Sequence, residues 1–287
     1  MKLVNTFIYT HFFLSVAAVL LTVSAQIQLG MKPQWQPYLL LIFMATFFVY
    51  NWHNLIIALT KKLTLYSGSN SWIRNNLKWL CLLLFLALAG FVVVIIPMKS
   101  EGLLTIVIMG ILTFFYSVPV SENNSYFFNL RKIPYLKIFV IVSVWASSTV
   151  LLPVLQAGED IFNAQVILLF AERFFFVFAI AIPFDIRDMY ADRDAGLKTI
   201  PLLINQKKAL VLSYLSLLFC FLISFYHYRM QNKWFVIEAL CISLITTYLF
   251  LKIQFFKNLG RYYYQVLDGA LLLQGILVLS FYLLTHS

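Results

Sequence analysis

Between Lys78 and Pro97 the chain reads KWLCLLLFLALAGFVVVIIP, with no charge and no polar side chain after the lysine. A helix needs about 20 mostly apolar residues to cross a bilayer, and runs of this kind recur along the sequence. They cover roughly residues 4–24, 37–60, 78–97, 102–119, 134–155, 161–184, 209–228, 234–252 and 263–284. Residues are 62% apolar and 11% charged, where a soluble domain carries about a quarter charged. Backbone polar groups in lipid must be satisfied internally, so helices are the spanning element. The expectation is an all-α polytopic membrane protein, residues 1–287 forming a single transmembrane domain of nine helices joined by short loops. Pro97, Pro119, Pro153 and Pro183 fall at or near the expected helix ends, where proline is tolerated.

The first run resembles a secretory signal peptide, with Val23-Ser24-Ala25 as its cleavage site. It is over-long for one and is interrupted by Asn5, Thr6, Thr10 and His11, so it is read as the first membrane helix. Lys and Arg then orient the bundle. Fourteen lie in the loops after even-numbered helices, from Lys61 to Arg261, against Lys32, Lys99, Arg229 and Lys233 on the other side. The excess marks the cytoplasmic face, which receives the N-terminus. The net charge of +10 is thereby a property of topology and of attraction to anionic lipid; nucleic acid is not an expected partner. Cys81, Cys220 and Cys241 sit within apolar runs at no metal-ligand spacing and read as packing residues.

Helix six leaves on the cytoplasmic face as FDIRDMYADRDAGLKTIP, residues 184–201. Four of the chain's 11 acidic residues, Asp185, Asp188, Asp192 and Asp194, fall within ten positions here. Asp185, Asp188 and Asp192 are spaced i, i+3, i+7, which a helix gathers on one side. Carboxylates so placed raise one another's pKa unless a cation joins them. Hard oxygen ligands suit Mg²⁺, which keeps waters and bridges to phosphates. The plainer alternative is a solvated helix end partnered by Arg187 and Arg193. Helix two ends with YNWHNL, residues 50–55, which matches FDIRDM, residues 184–189, in residue kind at every position. Asn51 and Asn54 shadow Asp185 and Asp188, and the match suggests an internal pseudo-repeat.

Further segments sharpen the picture: Tyr116-Ser117-Val118-Pro119 at the end of helix four, Lys137 entering helix five, and Gly196-Leu197-Lys198-Thr199-Ile200-Pro201 after the acidic turn. Together with DxxDxxxD at the end of helix six, this pattern resembles the UbiA family of intramembrane prenyltransferases, from about helix two to helix seven. The resemblance implies a helical bundle around a central cavity. In it a prenyl diphosphate is held through Mg²⁺, ionised to an allylic cation, and its chain passed to an aromatic or lipophilic acceptor. It implies Asp185, Asp188 and Asp192 as metal ligands, and these with Lys198 as the catalytic set. Asn51, His53, Asn54, Tyr116 and Lys137 would line the substrate, with membrane lipid around the bundle.

One departure stands out. The family's first motif is NDxxDxxxD; aligned on its aspartates this chain has Asn51, Asn54 and Ala58, and no acidic residue precedes Glu101. Two outcomes fit. A divergent enzyme would keep one metal and meet the diphosphate with His53, Lys61 or Lys62, Lys137 and Lys198. A degenerate relative would survive as a lipid-binding or scaffold protein. A transporter would thread polar residues through several helices near the midplane, whereas here the polar residues gather at one rim; a terpene cyclase would share the ionisation step. Two charged spots lie elsewhere. Glu172–Arg173, about 18 Å deeper than Asp185 in a continuous helix, reads as a structural ion pair; Asp268 joins the polar site or caps helix nine.

Overall fold

The structure is a computed structural model. It describes residues 7, 9–59, 72, 75–117, 135–194, 196–253 and 262–286, with the backbone alone for 53, 54, 57–59, 114–117 and 262–264. All regular structure among these residues is helical. We number the helices α1 (Phe12–Gln28), α2 (Pro37–Leu59), α3 (Leu77–Ile95) and α4 (Ser100–Ser117). Helix α5 runs from Leu136 to Ala157 through a π-helical turn at Ser147–Leu151. Then follow α6 (Ala164–Asp194), α7 (Gln206–Met230), α8 (Trp234–Lys252) and α9 (Asp268–His286), the last preceded by a π-helical turn, Tyr262–Leu267. A five-residue helical turn, Ile200–Ile204, separates α6 from α7.

Among the described residues, six helices are long and apolar enough to cross a membrane: α3, α5, α6, α7, α8 and the helix ending at His286. Shorter apolar helices, Phe12–Gln28, Pro37–Trp52 and Ser100–Thr113, occupy the three other expected positions. This is an integral membrane protein. The first helix begins later than its apolar run, because His11 adopts a left-handed conformation ahead of it (φ 53°), and it carries on to Gln28.

Packing closes a circuit. Helices α5 to α9 each lie against the next, α9 returns to α1, and α1 meets the π-helical turn of α5. Helix α2 packs outside on α1, α3 on α2, and α4 on α5. The α9–α1 seam is close because Gly275 has no side chain: a Cβ there would stand 2.7 Å from the backbone of Leu20. Small residues give membrane helices this approach. Helix α3 keeps Trp79, Phe85, Val92 and Val93 outside the bundle, a surface suited to lipid.

Helix α6 is the axis of the site. Its 31 residues extend about 46 Å at 1.5 Å each, longer than a hydrocarbon core of about 30 Å. The acidic motif is thus a continuation of the membrane helix. Pro183 lies inside it and has no N–H for the carbonyl four residues back. That carbonyl belongs to Ala179, and the buried Ser213 hydroxyl of α7 donates to it. A polar side chain on a neighbour thereby repairs the break, as bilayer burial requires. Ser213→Ala should lower stability by about 1 kcal/mol, and Ser213→Thr should preserve it. Unfolding of the detergent-solubilised protein by SDS would check both; equal stability of all three proteins would show the hydroxyl to be idle.

Candidate functional site

Helix α6 ends in a backbone cap. Gly196 takes a left-handed conformation (φ 69°) and the Leu197 N–H returns to the Asp192 carbonyl at 2.8 Å. Only glycine adopts this backbone without strain, which explains its place between DRDA and LKTIP. The cap folds the following segment back on the bundle, where the Lys198 carbonyl accepts a hydrogen bond from the Tyr135 N–H at 3.1 Å. Tyr135 directly precedes α5, so this one bond registers the start of α5 against the end of α6.

The consequence is a buried charge cluster. Lys137, in the first turn of α5, places Nζ 3.0 Å from Asp185 Oδ1 and 2.8 Å from Asp192 Oδ2. The side chains are 11%, 5% and 5% exposed respectively, so the contacts are only lightly screened by water. Asp185 Oδ2 is buried without a hydrogen-bond partner. Asp188 faces elsewhere. Its carboxylate is forked onto Arg187 at 2.7 and 3.1 Å, and the pair is about one-third exposed. The reason is angular: at 100° per residue, seven steps nearly close two turns, while three leave Asp188 about 60° aside. Arg187 also packs over the Phe184 ring at 5.1 Å and lies in electrostatic range of Asp268. Asp268, buried in the first turn of α9, therefore joins the polar rim.

The remaining expected residues are placed as follows. Lys198 is exposed, while its neighbour Thr199 is buried with Oγ1 unpartnered. Asn51 is fully buried on α2, and its Nδ2 donates to the Thr10 carbonyl at 2.6 Å and the Phe47 carbonyl at 2.8 Å. In this arrangement it ties α2 to the segment ahead of α1. The adjacent Tyr50 hydroxyl accepts from Trp145 Nε1 of α5 at 3.2 Å. His53 and Asn54 lie on α2 and Tyr116 on α4, but their side chains are outside the described residues, as are Lys61, Lys62, Val118 and Pro119.

Among the described residues, no group of three or more His, Cys, Asp or Glu is arranged to hold a metal ion. The donor set at Lys137 does fit one cation. Two carboxylate oxygens already converge on a single positive nitrogen, and a third, Asp185 Oδ2, is unused. A divalent ion there would take the place of the ammonium, with Asp188 free to join only on leaving Arg187.

A second polar cluster lies deeper. Glu172 and Arg173 of α6 are buried, and Gln28 of α1 stands between them. Gln28 Nε2 donates to Glu172 Oε1 at 2.7 Å and to the Tyr228 hydroxyl at 2.8 Å. Arg173 Nη2 donates to Gln28 Oε1 at 3.2 Å and to Ser24 Oγ at 3.0 Å. The expected pairing of the two charges is thus relayed through an amide rather than made directly. Lys233, beyond the end of α7, donates to the Gln28 carbonyl at 2.8 Å, and burial pushes its ammonium pKa down. Gln28, Tyr228 and Ser24 were not legible as partners, because the first apolar run was expected to end at residue 24 and an amide beyond it carries no sign of a charge partner.

The profile of the UbiA prenyltransferase family matches residues 59–261. The chain belongs to the UbiA prenyltransferase family. Solved structures of the family share its fold over nearly the whole length. An apo UbiA homologue from Aeropyrum pernix K1 superposes with a TM-score of 0.65 at 15% identity, covering 96% of this chain and 98% of that one. A UbiA homologue from Archaeoglobus fulgidus bound to GPP and Mg²⁺ gives 0.60 at 16%, covering 95% and 99%. A digeranylgeranylglyceryl phosphate synthase gives 0.55 at 14%, covering 99% and 98%. No curated protein sequence matches the chain significantly. Within the UbiA fold, the acidic end of α6 in this member is braced by a lysine of α5.

Proposed function

We propose that this UbiA-family member is an intramembrane prenyltransferase-like protein that binds a prenyl diphosphate at the Asp185–Asp192–Lys137 cluster. It transfers the prenyl chain to an aromatic or otherwise lipophilic acceptor. The observation that carries the reading is the convergence of two buried carboxylates on one cation; the A. fulgidus homologue complex with GPP and Mg²⁺ supports it. All nine apolar helices would cross the membrane around a central cavity, with the N-terminus and the acidic end of α6 facing the cytoplasm. The likeness of YNWHNL on α2 to FDIRDM on α6 would mark a pseudo-repeat in the bundle.

In this reading Asp185 and Asp192 would hold one Mg²⁺, and Asp188, engaged by Arg187, would contribute least of the three. The bound ion would supply the positive charge against which a leaving diphosphate develops its own. Lys137 is the ammonium nearest that position and takes over part of the phosphate charge; Lys198, exposed at the rim, meets the diphosphate from outside. His53, Asn54 and Tyr116 complete the substrate lining, with Asn51 holding the α2 wall in place. Below the cluster, Phe178 lies two turns beneath Asp185 on the same face of α6, its ring stacked on Phe174 at 6.1 Å. Aromatic faces at this depth exclude water and favour a positive carbon.

A second reading rests on Asn51. The first-motif position that lacks its carboxylate is spent on helix tethering, as expected of a fold that keeps its lipid cavity without catalysis. Geranyl diphosphate binding to the purified protein, with and without Mg²⁺, followed by a product assay on lipophilic acceptors, separates the two. The enzyme reading expects Mg²⁺-dependent binding and turnover. Binding without turnover on any acceptor favours the degenerate relative, and failure of well-folded protein to bind sinks the enzyme reading and leaves the degenerate scaffold.

A further inference from the structure

Lys137 does more than line the site: it occupies the position a divalent ion would need. We propose that Lys137 is a tethered counter-ion that keeps divalent metal out of the unloaded site, so that metal and diphosphate enter together. The inference rests on reading Asp185 and Asp192 as the metal-binding carboxylates. Their oxygens are 3.0 and 2.8 Å from one ammonium nitrogen, whereas Mg²⁺ binds oxygen at about 2.0–2.1 Å. Ion and ammonium cannot share the space between the two carboxylates.

The charges decide the order of events. Two carboxylates against one ammonium leave the unloaded cluster with one negative charge in excess, modest attraction for a dication that must first desolvate. Asp188 adds little, because its carboxylate is engaged by Arg187. The first motif adds nothing, since no acidic residue precedes Glu101. A metal arriving alone would displace Lys137 from both carboxylates and leave the ammonium facing a dication at close range. A diphosphate arriving with the metal supplies a new anion for the ammonium. The ammonium then moves from carboxylate to phosphate, and the metal takes the carboxylates. The two ligands are therefore positively coupled, each raising the affinity of the other by the same factor. A chain with a full set of first-motif carboxylates would have spare negative charge to bind metal first; this one holds its lysine in reserve instead.

Mn²⁺ binding to the purified full-length chain, followed by EPR with no prenyl compound present, tests this directly. Wild type should bind Mn²⁺ weakly, Lys137→Gln at least about tenfold more tightly, and Lys137→Arg like wild type. Adding Asp185→Asn to Lys137→Gln should abolish the gain. Inorganic diphosphate should raise retention of Mn²⁺ by wild type about tenfold or more and that of Lys137→Gln much less. Equal affinity of wild type and Lys137→Gln, whether tight or absent, overturns the inference. Should Lys137→Gln fail to fold, wild type and Lys137→Arg with and without diphosphate still decide it, and no coupling in either overturns it. These readouts use no prenyl group. Failure to bind geranyl diphosphate alongside the expected Mn²⁺ pattern would overturn the prenyl reading and leave the counter-ion in place.

Discussion

Glu172→Leu is expected to lower the stability of the folded bundle by about 3–5 kcal/mol, and Arg173→Met by a similar amount. Each change strands a buried charge. Glu172 and Arg173 are 0% and 1% exposed and meet neutral partners, Gln28, Ser224 and Tyr228 for the carboxylate and Gln28 and Ser24 for the guanidinium, with Glu172 Oε2 and Arg173 Nε and Nη1 left unpartnered. With the carboxylate gone, the guanidinium keeps two neutral partners and no anion; with the guanidinium gone, the carboxylate keeps an amide and two hydroxyls. The double replacement should recover most of the loss, because two apolar side chains of similar volume desolvate no charge. Gln28→Leu tests the relay itself and should behave like either single variant. Unfolding free energies in mixed detergent provide the measurement. A double variant no better than the singles would mean that the cluster is more than a paired charge and acts on something else at that depth.

Asp185→Asn and Asp192→Asn are each expected to reduce Mg²⁺-dependent turnover of a prenyl diphosphate by about 10²–10³-fold, while Asp188→Asn should cost far less. The three aspartates are alike in sequence but not in place: two meet one cation at 3.0 and 2.8 Å, and the third is bound to Arg187 at the exposed rim. The Asn variants keep shape and remove charge, so the contrast reads electrostatics rather than packing. Steady-state rates and Mg²⁺ titrations of the three variants give the answer. Equal losses at all three positions would show that Asp188 leaves Arg187 in the working state and shares the metal.

The membrane class and the helix order were legible because an apolar run of bilayer length has few other uses. The acidic end of α6 was legible because charge is scarce in this chain. What the one-dimensional pattern could not supply was direction. Asp185, Asp188 and Asp192 are one face to within a residue's resolution, yet a 60° offset sends Asp188 to a different partner. Lys137 was visible as a lysine entering α5, but its seat between two carboxylates depends on the Tyr135–Lys198 backbone bond, formed across more than sixty residues of intervening chain. Gln28 illustrates the limit from the other side. An amide at a helix end is ordinary in sequence, and only the meeting of side chains from α1, α6 and α7 gives it two charged neighbours.

The missing rung at Pro183 carries a mechanical consequence. A helix whose backbone ladder is interrupted bends at the gap more readily than elsewhere, and Asp185 lies two residues beyond it. The donor that closes the gap, Ser213, belongs to α7. The last turns of α6 are therefore hinged to their own deep half and latched to a neighbour, so the tilt of the aspartates is set by α7.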